Sequence, residues 1–385
     1  MLKCFILLSG SPKSCSKGAF QSMRESERKN GVFANIKKLF SYRSGNGYPL
    51  PILPNAEQPL QTPTYDGSGQ VVHPCVIDFF NEFGIDSWSG YRYWMVLTPY
   101  PNSQNQYENP SLYASHDGLS WIAPPDITNP LDTASGGLDD GFLFDPDMIF
   151  NPDSNQLWIY YRFANSATLR MHLIKINHDL TITKPVTIME QSPWSQQDNR
   201  HRSFCIWRES SDRWHMWGGG GEAKSPYNTY YFFSTDGICW GEPQRVLNED
   251  GLDPFQALGL SNWHMAGKPN EKERRVEFLV YTLVDRTTQR HLFSSKNPNP
   301  VVYAECPMDA PTIFRTPLSS PVLLPSKSGW DNGHLYRCSF QIIDSGTGYL
   351  YSIWYSARGS DGQWHLGHTE GAIGTSHKKN CDVSQ

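Results

Sequence analysis

The sequence has no apolar run long enough to cross a bilayer, no cysteines at C-x-x-C spacing and no His-Glu-x-x-His stretch. It lacks a glycine-rich turn between a strand and a helix, and helical periodicity is scarce after about residue 45. Each absence removes a class of protein. No membrane-spanning helix is expected without a long apolar segment. No dedicated zinc site is expected without paired ligands at short spacing, so neither metal nor cofactor is anticipated. Nucleotide binding lacks its phosphate-cradling loop, and no nucleic-acid partner is indicated. The eight cysteines (Cys4, Cys15, Cys75, Cys205, Cys239, Cys306, Cys338, Cys381) form no cluster, and several sit inside apolar strand patterns. They read as mostly free thiols acting as small hydrophobes, which favours synthesis in a reducing compartment. The short apolar run Cys4–Leu8 has no clean cleavage site after it and is not read as a secretory leader.

What the chain has in abundance is aromatic and turn-forming residues: Trp 13, Tyr 19, Phe 19, Gly 31 and Pro 28. Aromatics fit pleated, half-buried surfaces and Gly and Pro punctuate them, so many short strands are expected. The 385 residues allow two or three domains, but all-β folds often run this long as one. Charge is uneven. Residues 1–43 hold nine Lys/Arg against Glu25 and Glu27, a head at +7 before a body at −12. This basic arm, part helical through Phe33, Ile36 and Phe40, is read either as docking on an acidic partner or as a solvated leader. Residues 44–70, with Pro49, Pro51, Pro54, Pro59 and Pro63, read as a linker or a strap across the body.

From residue 71 to 385 a unit of about 45–60 residues recurs: a polar opening, an apolar strand, a turn, an aromatic strand. His73–Phe80, Phe144–Phe150, His201–Trp207, Trp263–Ala266 and Leu335–Ile342 begin the five copies. Five such antiparallel units predict an all-β, five-bladed β-propeller with the strand openings around one axial mouth. A two-sheet sandwich is the alternative, but it leaves the recurring polar openings unexplained.

Ser115-x-Asp117-Gly118-x-x-Trp121 and Ser234-x-Asp236-Gly237-x-x-Trp240 match each other, and Gly359–Trp364 is a degenerate third copy. They resemble the Asp-box turn of sialidases and related propellers. The chemistry is structural: Asp accepts backbone N–H bonds, Gly takes positive φ and Trp packs between sheets.

Asp145-Pro146-Asp147 opens the second unit. Over roughly residues 71–372 the pattern resembles propeller glycosidases of the arabinanase, β-xylosidase and invertase type, which place catalytic acids at such openings. The resemblance implies a glycoside hydrolase acting on a polysaccharide or other glycan. Glycoside cleavage needs one carboxyl protonated and one ionised. Asp145 or Asp147 is the candidate base, and Glu222 or Glu108, from loops on the same face, the candidate acid. His73, His201, Arg202, His264 and Arg337, also from strand openings, are the candidate sugar-binding residues. The bland reading is that Asp145 and Asp147 only cap a strand. The sequence departs from the glycosidase pattern too, since His73 stands where the first unit should carry an acid. Glu305-Cys306-Pro307 resembles the invertase acid motif but falls between the fourth and fifth units. Arg202 and Arg337 supply only part of a sialidase's arginine triad. A second function is therefore carried: a non-catalytic glycan-recognition or structural module, such as a phage fibre, spike or decoration protein anchored by residues 1–43.

Overall fold

The computed structural model describes residues 50–134, 136, 140–191, 200–221, 228–255, 258, 260–285, 290–291 and 299–374. The basic arm and Glu222 lie outside them. Among the described residues the strands form five antiparallel sheets. The first holds β1 (Val71–Asp78), β2 (Tyr93–Pro99) and β3 (Ser111–Ser115), and the second β4 (Phe142–Asn151), β5 (Gln156–Ala164), β6 (Leu169–Asn177) and β7 (Val186–Gln191). The third holds β8 (Arg200–Ser210), β9 (Arg213–Gly221), β10 (Asn228–Ser234) and β11 (Gln244–Arg245). The fourth holds β12 (Leu260–Asn270), β13 (Arg275–Asp285), β14 (Arg290–His291) and β15 (Val301–Pro307). The fifth holds β16 (His334–Asp344), β17 (Tyr349–Arg358) and β18 (Trp364–Gly371).

The first strands of the sheets touch in a closed circuit. β1 lies against β4, β4 against β8, β8 against β12, β12 against β16, and β16 against β1. Between neighbouring sheets runs an apolar seam. Along β5, Leu157, Ile159 and Tyr161 face the first sheet while Trp158 and Tyr160 face the third. In β17, Ile353 and Tyr355 face the fourth sheet and Trp354 the first. Successive side chains of a strand point to opposite faces, and here both faces are covered. That is why the strands read as nearly unbroken apolar runs rather than alternating ones. Proline-rich residues 50–70 are strapped over the fifth sheet. Ile52 and Leu53 donate backbone bonds to Pro321 and Val322, and Leu60 bridges Leu366.

The repeated turns have matching geometry. Asp117 Oδ1 accepts from Ser115 Oγ and the amides of Leu119 and Ser120, and Asp236 Oδ1 from Ser234 Oγ and the amides of Ile238 and Cys239. Gly118 and Gly237 sit at φ 74° and 71°, where a side chain would be strained. The Ser120 amide foremost, then the Leu119 amide and two hydroxyls, hold the Asp117 carboxyl down from 3.8 to about 2. A depressed folded-state value means stabilisation that is present above the ordinary carboxylate range and lost as pH falls toward 2. Asp117→Asn is therefore expected to lower stability at neutral pH and to flatten the acid limb of a urea-melt series run from pH 7 to pH 2. Parallel wild-type and variant curves would contradict this.

Candidate functional site

Every first strand slips register near its opening. The breaks fall between Val72 and Cys75, Phe144 and Asp147, His201 and Phe204, Leu260 and His264, and Leu335 and Cys338. Such bulges re-aim side chains out of the pleat. Two of them are strained: His73 and Asp145, each followed by proline, have φ 58° and 51°. Non-glycine residues in this region cost of order 1–3 kcal/mol each and persist only where the surroundings hold them.

The bulges bring His73, Asp145 and His264, from three sheets, to one point. One donor atom of each lies within 4.8 Å of the others. His73 Nε2 is 2.9 Å and His264 Nδ1 3.6 Å from Asp145 Oδ1. All three residues are buried. His73 Nε2 thus has the Asp145 carboxylate as its near neighbour inside the buried cluster. On its other side, His73 Nδ1 lies 3.1 Å from Thr98 Oγ1 and 3.3 Å from Glu108 Oε1. A proton on Nδ1, directed to these oxygens, leaves the Nε2 lone pair aimed at the cluster. Tyr336 wedges between the imidazoles, its ring centroid 5.0 Å from His73 and 4.8 Å from His264.

Burial drives His73 toward its neutral form, against the pull of Asp145. Burial works against charge on Asp145 too, but His264, His73 and Arg337 outweigh it and hold the carboxyl well below its usual range. Metal ligation takes imidazole in its neutral form and a carboxyl in its ionised form. Two imidazoles and a carboxylate suit zinc and other first-row divalent ions. A carboxyl behind a ligating imidazole, as Glu108 stands behind His73, is the usual orienting partner. Burial, and then the charge of Asp145, push Glu108 well above the ordinary carboxylate value. Arg162, buried with its guanidinium over the Phe204 ring, is lowered to about 9 by burial.

The other expected residues divide. Asp147, two residues beyond Asp145, belongs to a lower tier: Oδ1 accepts from Arg337 Nη2 at 2.8 Å and Oδ2 from the Ile206 amide at 2.7 Å. Arg337 spends both terminal nitrogens on Asp147 and on the carbonyls of Pro146 and Phe204. His201 and Arg202 open β8, at its register break, and Glu222 lies outside the described residues. Asp78 is at the far end of β1, capping the short helix α1 (Phe79–Phe83) and paired with Arg92. Tyr336, Arg162 and Thr98 were not foreseen, although Arg162 is a lone charge inside an aromatic strand. His73, Asp145 and His264 are far apart in sequence, so their spacing gives no sign that they could together hold a metal ion.

No protein-family model matches the sequence. The chain is 26% identical over 336 residues to the A type blood N-acetyl-alpha-D-galactosamine deacetylase of Flavonifractor plautii, covering 76% of this chain. It spans only 40% of that relative's length. Among solved structures it is similar to an N-acetylgalactosamine deacetylase from F. plautii in complex with blood group B trisaccharide. There the TM-score is 0.67 at 21% identity, covering 83% of this chain and 96% of that one. It also resembles the catalytic domain of a Coprinopsis cinerea α-L-arabinofuranosidase, with TM-score 0.53 at 12% identity over 83% and 98% of the two chains. A Penicillium chrysogenum α-L-arabinanase complexed with arabinobiose gives 0.51 at 11%, over 80% and 78%. These likenesses establish an all-β, propeller-type fold.

His73→Ala and His264→Ala are each expected to weaken cobalt(II) binding at least tenfold, read from the visible absorption of the metal-loaded protein. Unchanged affinity in both would exclude them as ligands.

Proposed function

We propose that the chain is a five-bladed propeller enzyme acting on glycans, and that it removes the N-acyl group of an amino sugar with the help of a divalent metal. The convergence of His73, Asp145 and His264 carries this reading. Similarity to the deacetylase supports the choice of bond. When bound, the metal would polarise the acyl carbonyl and make a bound water more acidic. The chain's own residues supply the rest. His73 and His264 offer neutral imidazole nitrogens, and Asp145 the charge-compensating carboxylate. Thr98 and Glu108 fix the ring of His73. Glu108, pushed well above the ordinary carboxylate value by burial and then by the charge of Asp145, is the carboxyl available to pass a proton between the attacking water and the departing amine nitrogen.

A second reading, glycoside hydrolysis, has one observation in its favour. The Asp145 carboxyl is drawn below the usual carboxylate range while that of Glu108 is pushed above it, and carboxyls separated in this way are what an acid and base pair requires. Products separate the two. With an aryl N-acetyl-α-D-galactosaminide, acetate release that chelator abolishes and zinc or cobalt restores is the expected outcome. Release of the aryl alcohol, indifferent to chelator, would overturn the deacetylase reading and favour the glycosidase. Glu108→Gln is expected to lower kcat by about 10²–10⁴-fold while cobalt still binds. A variant as active as wild type would remove Glu108 from the mechanism.

A further inference from the structure

We infer that Arg337 is a positioning residue for the metal-ligating centre, holding in place the strained turn that aims Asp145; the inference rests on the metal reading above. The Asp145–Pro146 step stands outside the β4–β5 ladder, since pairing stops at Phe144 and resumes at Asp147. The Pro146 carbonyl, left without a ladder partner, is bonded instead by Arg337. Nη1 donates to the Pro146 carbonyl at 2.8 Å, and Nη2 to Asp147 Oδ1 at 2.8 Å and to the Phe204 carbonyl at 3.1 Å. The guanidinium thus grips both residues that follow Asp145 and ties them to β8. It is 1% exposed.

The bulge in β16 makes this possible. With Tyr336 and Arg337 both out of the ladder, Tyr336 reaches the two imidazoles while Arg337 reaches the tier below. A cavity of about 450 Å³ on the far side is lined by Asp147 and Arg337 but by none of His73, Asp145 and His264. The pair is the floor between that cavity and the site. A planar fork spreads its donors over two terminal nitrogens at fixed angles, whereas a lysine ammonium gathers its three on one rotating nitrogen.

The test compares wild type, Arg337→Lys and Ser356→Ala, all confirmed as folded by near-ultraviolet circular dichroism. Ser356→Ala removes the hydroxyl bond to the Arg337 carbonyl and leaves the guanidinium alone. Arg337→Lys is expected to weaken cobalt(II) binding by about 10–100-fold and to lower kcat with KM nearly unchanged, while Ser356→Ala keeps wild-type affinity. If Arg337→Lys does not fold, Asp147→Asn takes its place, with a severalfold loss of cobalt affinity expected. Wild-type affinity and kcat in the arginine or aspartate variant, accompanied only by a lower Tm, would overturn the positioning role. If wild type itself takes up no cobalt, the metal reading fails and this inference with it.

Discussion

The structure depends on the closing of the ring, and polar side chains close it at the axis. Each of the five first strands is an edge strand of its sheet, so the backbone groups it turns toward the axis need partners across it. The Cys75 thiol accepts from the Met148 amide at 3.3 Å, joining β1 to β4. Asp147 joins β4 to β8 through the Ile206 amide, and Arg337 joins β16 to both. The Val76 amide donates to Ser339 Oγ, while Gln341 and Lys268 donate to the Val76 carbonyl, drawing in β16 and β12. All five strands are stitched at this one level. The stability comes from elsewhere. Truncating a large residue in an inter-sheet seam costs about 2–5 kcal/mol, whereas a buried ion pair roughly breaks even against its desolvation. The polar tier fixes geometry.

That geometry separates two neighbouring carboxylates. Strand alternation would put Asp145 and Asp147 on one face. The bulge instead sends Asp145 up to the imidazoles of His73 and His264, and Asp147 down to Arg337 and the Ile206 amide, where its oxygens are occupied. The proline after Asp145 contributes by removing an amide that the broken ladder could not satisfy. The same Xaa-Pro turn is used at His73-Pro74, where His73, also at positive φ, occupies the position equivalent to Asp145.

Much of the fold was readable from the sequence, for stated reasons. Strands buried on both faces leave unbroken aromatic and apolar runs, and the Ser-x-Asp-Gly turns mark fixed points between them. Two of the candidate acids named from the sequence, Asp145 at a strand opening and Glu108 in a loop, both lie beside His73 in the structure. The donor set was not readable. His73, Asp145 and His264 sit on three sheets and meet only when the ring is closed, so a search for ligands at short spacing finds nothing. Nor does sequence show that Arg337 is turned to the tier below, because that follows from the phase of a bulge in β16.

X-ray absorption or anomalous diffraction of crystals soaked in zinc would test the centre itself. A single zinc bound by His73 Nε2, His264 Nδ1 and Asp145 Oδ1, at about 2.0–2.2 Å from each, is the result this account predicts. Zinc bound elsewhere, with Asp145 hydrogen-bonded to both imidazoles and no metal between them, would contradict it.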